Sequence, residues 1–192
     1  MHSQIVPLGD VLTPAGEPHR VQPESSYPNI GIYGFGRGVF EKPPINGSST
    51  SATTLFRVRA DQFIYSRLFA FEGAYALVPK EFDGAFVSNE FPTFECKPER
   101  LLPGYIGWYF SRPAVWARLA EGGKGMGDRR KRVHPERILE HRIRLPDISV
   151  QRQLLKKLDG VAARIESIRT LQKELDALVP ALVEEIFRDV VT

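Results

Sequence analysis

Cysteine is all but absent. Cys96 is the only one in 192 residues, so no intrachain disulfide can form and a cysteine-based zinc cluster is excluded. Long apolar runs are missing as well. No stretch approaches the roughly 20 residues that cross a bilayer, and the N-terminus has no basic region followed by an apolar one. The expectation is a soluble, cytoplasmic protein. Histidine is scarce: His134 and His141 lie seven apart with no third ligand at metal spacing, so no metal site is expected. Catalytic signatures are missing too. An adenine-modifying enzyme needs a glycine-rich cofactor motif and an Asn/Asp-Pro-Pro-aromatic loop, and Lys42-Pro43-Pro44-Ile45 is neither. Gly34-Phe35-Gly36-Arg37-Gly38 is no phosphate-binding fingerprint, because no lysine–serine pair or strand–helix context follows it. Metal-assisted hydrolysis needs an acidic cluster near a lysine. None stands at convincing spacing, and although Asp83 and Glu90 could be imagined as paired carboxylates for acid–base work, nothing in the sequence brings them into one cleft. The chain is expected to bind and orient rather than to catalyse, with no cofactor of its own.

What is present is an ordinary globular composition with one uneven feature. The chain is 42% hydrophobic and 26% charged, too apolar for general disorder, and its length holds one fair-sized domain plus an appendage. The net charge is only +3, but it is unevenly spread. From Lys124 to Arg144 eight Lys/Arg stand against three acids, a local +5 that leaves −2 for the rest of the chain. A local positive field of this kind is a footprint for a polyanion.

Residues 1–60 are rich in Gly, Pro and Ser, with short apolar runs at Ile30–Tyr33 and Thr54–Val58 that read as strands. Phe63–Tyr65, Ala74–Val78, Ala85–Val87 and Thr93–Glu95 continue that rhythm. Leu102–Phe110 and Pro113–Glu121 suit two short helices, with Pro113 well placed to start the second. Gly122–Gly127 must be a loop, and His134–Leu139 suits one or two helical turns. Glu140–Leu145 alternates, which sets Ile143 and Leu145 opposite Arg142 and Arg144 on a half-buried strand.

Beyond Pro146 the pattern changes. Leu154, Leu158, Val161, Ile165, Ile168, Leu175, Val179, Leu182 and Ile186 recur at alternating spacings of three and four, interrupted only by Gln172. A 3.5-residue period is the mark of a helix that pairs with another helix. Ser149 is a plausible N-cap. The helix is expected to run unbroken to about Leu178, roughly 45 Å at 1.5 Å per residue, with Pro180 kinking it or starting a second one. Gly160 costs that helix about 1 kcal/mol relative to Ala, unless it permits a close helix approach.

Taken in order, these residues resemble one half of the specificity subunit of type I restriction-modification enzymes. Gly73-Ala74-Tyr75-Ala76-Leu77-Val78-Pro79, followed by Val87-Ser88-Asn89-Glu90-Phe91-Pro92-Thr93-Phe94, is similar to the middle of that family's target-recognition domain. Gly125–Arg132, then Ile143-Arg144-Leu145-Pro146 leading to Gln151 and a long helix, is similar to its closing signature. There the family usually carries Pro-Leu-Pro-x-x-Glu-Gln; here Arg144 replaces the first proline and Val150 stands in place of the acid. A full-length member has two recognition domains, each followed by a long helix, and the two helices pack antiparallel as a spacer. The resemblance therefore implies a half-length specificity protein that supplies its second half by homodimerisation, or one derived from a split or truncated subunit. The seam agrees independently, since an unpaired rod of aliphatic side chains would be an aggregation liability, and a two-fold dimer closes it most simply.

The basic loop, Gly122–Arg132, is the first candidate for DNA contact, the plainer alternative being a solvated loop with ordinary surface charge. Flexible glycines let backbone N–H groups approach phosphates, and Lys124, Arg129, Arg130, Lys131 and Arg132 neutralise them. Arg is also the side chain best shaped to grip guanine in the major groove. Tyr33 and Arg37, on the Gly34–Gly38 loop with Phe35, and Ser48 and Thr50, in a hydroxyl cluster, are further candidates for polar contacts to DNA. The plainer alternative for both loops is a turn, with Gly supplying positive φ and Ser bonding its own backbone. Leu154, Leu158, Val161, Ile165, Ile168, Leu175 and Leu182 are the expected dimer interface. Tyr105, Trp108, Tyr109, Phe110 and Trp116 read as core packing rather than a base-stacking platform.

The expected class is α+β: a mixed α/β target-recognition domain of short strands and helices over residues 1–147, then a long coiled-coil-type helix over 148–192. The expected partners are double-stranded DNA, a methyltransferase subunit, a second copy of the chain and, in a restricting complex, a translocating nuclease subunit. S-adenosylmethionine and ATP chemistry would belong to those partners. Two other readings stay open: an assembly module that does not bind DNA, and the detached recognition piece of a fused restriction-methylation enzyme.

Overall fold

Eleven short strands and four helices follow one another in the computed structural model, which describes residues 3–120 and 132–191. The strands are β1 (Ser3–Pro7), β2 (Leu12–Pro14), β3 (Glu17–Arg20), β4 (Ser26–Ile32), β5 (Val39–Asn46), β6 (Thr54–Arg57), β7 (Phe63–Tyr65), β8 (Tyr75–Leu77), β9 (Phe86–Val87), β10 (Thr93–Cys96) and β11 (Arg142–Pro146). The helices are α1 (Pro103–Phe110), α2 (Pro113–Ala120), α3 (Pro135–Glu140) and α4 (Ile148–Val191). The class is α+β, with a long C-terminal helix. The chain divides into two units, residues 1–151 and 152–192.

Within the first unit, the strands form a five-stranded sheet in the order β3-β6-β9-β4-β5, a four-stranded sheet β2-β10-β7-β8, and the pair β1-β11. Most pairings are antiparallel, and β4 with β9 is parallel. β11 behaves as its alternation predicts: Ile143 and Leu145 are buried, while Arg142 and Arg144 face water. Its partner, β1, was not legible, because Ser3–Pro7 pairs with residues some 140 positions away and carries no local strand signal. β5 was hidden by Pro43 and Pro44, which demote a run as a strand. It lies at the edge of its sheet, and the register shifts opposite those prolines, between Tyr27 and Asn29. An edge strand with a bulge tolerates proline and is blunted against further pairing.

The largest core cluster joins the four-stranded sheet to α1 and α2. Phe110 packs at a tilt 4.7 Å from both Phe63 and Tyr75, ring centroid to centroid. Trp116 is buried and donates its indole N–H to the Phe110 carbonyl. Burial pushes the Cys96 thiol up to about 12, with Asp61 adding to the shift, so the thiol stays protonated at neutral pH.

α4 starts at Ile148, so Ser149 lies inside it rather than capping it. The Asp147 carbonyl accepts the first helical bonds, from the Val150 and Gln151 N–H groups. The first turn is bound into the body by Gln151, whose side chain is wholly buried. Its Oε1 accepts from Leu102 N–H at 3.0 Å, and its Nε2 donates to the Arg100 and Pro146 carbonyls, both at 2.8 Å. Every polar atom of that amide is used, which is what burial of such a group demands. At the far end the helix does not stop near Leu178. It continues through Pro180 to Val191, at the cost of the backbone bond that residue 180 would have made to Asp176. Its 44 residues span about 66 Å.

Candidate functional site

The loop between β4 and β5 is a tight, over-determined turn. Tyr33 N–H donates to the Gly38 carbonyl at 2.9 Å, and Arg37 Nε donates to the Gly34 carbonyl at 3.1 Å. The Arg37 guanidinium lies 5.0 Å from the Tyr33 ring centroid, and Tyr33 packs on Phe40. Phe35 and Gly36 both have left-handed φ, 61° and 64°. Their N–H groups donate to the Glu72 and Gly73 carbonyls at 2.7 and 2.9 Å, which pins the tip to the turn after β7. Gly73 is itself left-handed, and a Cβ there would come within 2.6 Å of the Trp116 ring. No larger residue fits.

Ser48 and Thr50 are elsewhere. They follow the opposite end of the β4–β5 hairpin, since Ser26 pairs with Asn46 there and Ile32 with Val39 at the Tyr33 end. Six residue steps at about 3.3 Å set the two loops roughly 20 Å apart. Thr50 Oγ1 accepts from the Ala52 N–H, and Ser49 Oγ donates to the Asn46 carbonyl. This loop therefore shows the local backbone bonding of a turn, and Ser48 is exposed beside it. Tyr33 and Arg37 come together; Ser48 and Thr50 do not join them.

Of the expected basic contacts, Lys124, Arg129, Arg130 and Lys131 lie outside the described residues. Arg132 is described, and it is already engaged. Its Nε donates to Glu90 Oε2 at 3.2 Å. The same carboxylate lies 3.9 Å from Arg67, whose guanidinium also meets His134 Nδ1 at 3.1 Å. The backbone is tied in beside it. Val133 N–H donates to the Arg67 carbonyl, and the buried Tyr65 hydroxyl donates to the Val133 carbonyl at 3.0 Å. Glu90, part of the quoted middle motif, thus anchors the C-terminal end of the basic run. Asp83 has separate work: its Oδ1 accepts from the Ala60 N–H at 2.8 Å. The two carboxylates are not paired, and among the described residues no His/Cys/Asp/Glu group could hold a metal ion.

A second basic cluster escaped the sequence reading because it is assembled from three helices. The Tyr109 hydroxyl and His141 Nε2 are 2.7 Å apart, and Arg112 lies over the Tyr109 ring at 4.4 Å. Arg137 donates from Nε to the Leu119 carbonyl at 2.7 Å and from its terminal nitrogen to the Arg118 carbonyl, satisfying the exposed end of α2. His141 is held below its ordinary pKa by burial first, then by Arg118, Arg137 and Arg112. Its Nε2 is engaged by the Tyr109 hydroxyl. Of the cluster's arginines, Arg112 and Arg118 fall outside the basic window read from the sequence and Arg137 falls inside it.

The second unit, taken by itself, is helix with an uncovered apolar face. Leu154, Leu158, Val161, Ile165, Ile168, Leu175, Val179, Leu182 and Ile186 are all more than a third exposed. Leu171, Leu178, Val183 and Phe187 add to them, so the stripe widens from Leu171 onward. Charge divides along the same line. Residues 152–170 carry five Lys/Arg against two acids, and residues 171–189 carry two against five, a change from +3 to −3. No helix among the described residues is long and apolar enough to cross a membrane.

No family model and no curated protein matches the sequence. Solved structures do match. The HsdS subunit from Thermoanaerobacter tengcongensis superposes with a TM-score of 0.72 at 21% identity, over 90% of this chain and 45% of that one. A chain from a structure described as showing complex assembly and conformational transition of the type I R-M system gives the same figures. This chain has the fold of an HsdS specificity subunit of type I restriction-modification systems, and it spans about 45% of that subunit's length.

Proposed function

We propose that the chain is a sequence-specific, double-stranded-DNA-binding specificity subunit of a type I restriction-modification system. It directs a methyltransferase subunit, and in a restricting complex a translocating nuclease subunit, to a bipartite target, and it catalyses neither reaction. The observation that carries this reading is the likeness to HsdS over 90% of the chain. The basic run supports it. Arg132, Val133 and Tyr65 tether that run's C-terminal end to the body, and its lysine and arginines have the chemistry to neutralise phosphates.

Homodimerisation completes the proposal. The seam from Leu154 to Ile186 is symmetric about position 170. Antiparallel pairing sets Leu154 opposite Ile186 of the second copy, Leu158 opposite Leu182, Val161 opposite Val179, Ile165 opposite Leu175 and Ile168 opposite Gln172. It also lays each basic half-helix along an acidic one, whereas parallel pairing would set like against like. The wider stripe beyond Leu171 exceeds a two-stranded seam and leaves apolar surface for a helical methyltransferase partner. Two-fold symmetry then implies a palindromic bipartite site, its halves at least about one helical turn apart.

A salt titration tests the DNA reading. Binding to duplex DNA should fall at least about 100-fold between about 50 and 200 mM salt, and Arg129→Ala, Arg130→Ala and Arg132→Ala together should lower the log–log slope by up to about three. Salt-insensitive binding, or no binding with the methyltransferase subunit present, would overturn it.

A further inference from the structure

Phe35 is the most exposed large apolar side chain among the described residues, at 67%. A single exposed phenyl is common on a protein surface and needs no explanation. One held at a φ of 61° does, because a left-handed backbone is costly for a bulky L-residue and Gly would adopt it freely. Three ordinary explanations fail. Core packing is not the reason, since the ring's aromatic neighbour, Trp116, is met only edge-on at 6.5 Å between centroids. Local bonding is not the reason either. Asp61, the other non-glycine with positive φ, has the short polar side chain that tolerates this conformation, and Phe35 has none. Nor is the turn's geometry a reason to keep a phenyl, because the two bonds to Glu72 and Gly73 are made by backbone N–H groups that glycine would supply equally well.

What the arrangement does achieve is presentation. The turn is fixed at both sides and at its tip, so the phenyl is displayed from a rigid support. Gly34, Gly36 and Gly38 stand around it without side chains, and a Cβ at Gly38 would meet nothing within 4 Å. Tyr33 and Arg37 stack on one another beside it. A rigid hairpin tip that displays one apolar group beside a stacked cation and phenol matches the needs of a base contact. Backbone and cation can serve phosphate, whereas a phenyl has no group to offer phosphate and suits the apolar part of a base.

We propose that Phe35 is a base-contacting, specificity-determining residue of this chain, packing its phenyl against a base of the target duplex. The proposal rests on the DNA-binding reading above. It differs from the expected polar contacts of Tyr33 and Arg37 in being apolar, and therefore dependent on sequence rather than on phosphate charge.

The test uses the full chain co-expressed with its methyltransferase subunit, and 40-base-pair duplexes with a randomised core. Duplexes enriched by the parent are compared with the unselected pool as binding probes for Phe35→Gly and Phe35→Ala. Both variants should bind the enriched duplexes about ten-fold more weakly, within the loss expected when one base pair is no longer read, while binding the pool within about two-fold of the parent. Phe35→Gly should melt no lower than the parent, because it relieves the left-handed strain; that result separates loss of contact from loss of fold. Unchanged affinity for the enriched duplexes, or an equal loss on both probes, overturns the proposal. If the parent enriches no duplex, the DNA-binding reading fails and takes this inference with it.

Discussion

Along α4, polarity and burial are inverted. Gln151, an amide, is wholly buried and makes three hydrogen bonds, whereas thirteen large apolar side chains between Leu154 and Phe187 stand 37–65% exposed. The first turn obeys the rules of a protein interior, where a polar group is tolerated only if each of its atoms is paired. The rest has the composition of an interior and the exposure of a surface, a combination that an isolated chain should not maintain. The contrast assigns different duties to one continuous helix. Its start is a structural clamp between the β11 exit and the approach to α1. The remainder is a surface to be covered, by a second copy and by a methyltransferase subunit in the proposal made above.

Two substitutions press on that contrast from either side. The larger effect is expected in the exposed part. Leu158→Asp with Ile165→Asp places four carboxylates in the paired seam of a dimer, and should weaken association by at least about 1000-fold, given a penalty of several kcal/mol per buried unpaired charge. Sedimentation would then show monomers, with the melting of the body unchanged. A dimer that survives would remove the seam from the interface. The smaller effect is expected in the buried part. Gln151→Leu is more apolar and similar in size, yet it removes the bonds that the amide makes to the Leu102 N–H and to the Arg100 and Pro146 carbonyls. It should cost the body about 3 kcal/mol, a fall in Tm on the order of 10 °C. A shift below about 2 °C would mean that the amide is not the clamp described here.

Much of this organisation was legible in the sequence, because the signals were local. Ile143 and Leu145 alternate with arginines, Pro113 opens a helix, and the seam keeps its period for more than thirty residues. The rest depended on partners that a local pattern does not show. Ser3–Pro7 becomes a strand only because Arg142–Pro146 lies beside it. Val39–Asn46 is a strand in spite of two prolines, because an edge position and a register shift absorb them. Pro180 looked like the end of the helix, and the turns on both sides carry the chain past it. In the candidate site the residue types were readable and their grouping was not. Tyr33 and Arg37 meet, Ser48 and Thr50 fall at the other end of the same hairpin, and Arg132 is bound by Glu90. The left-handed backbone of Phe35 had one faint signal, its three flanking glycines, which mark a turn without saying which residue is displayed.

Disulfide trapping tests the pairing of two copies most directly. With Cys96→Ser as background, the chain is made with Leu158→Cys alone, with Leu182→Cys alone, and with both. Antiparallel pairing sets position 158 against 182 of the second copy, while the two 158 positions stand about 36 Å apart, far beyond the roughly 7 Å limit for bridging. Mild oxidation should therefore give a covalent dimer only with the double variant. Covalent dimers from Leu158→Cys alone would show parallel helices, and no dimer from any variant would leave the long helix to some other partner.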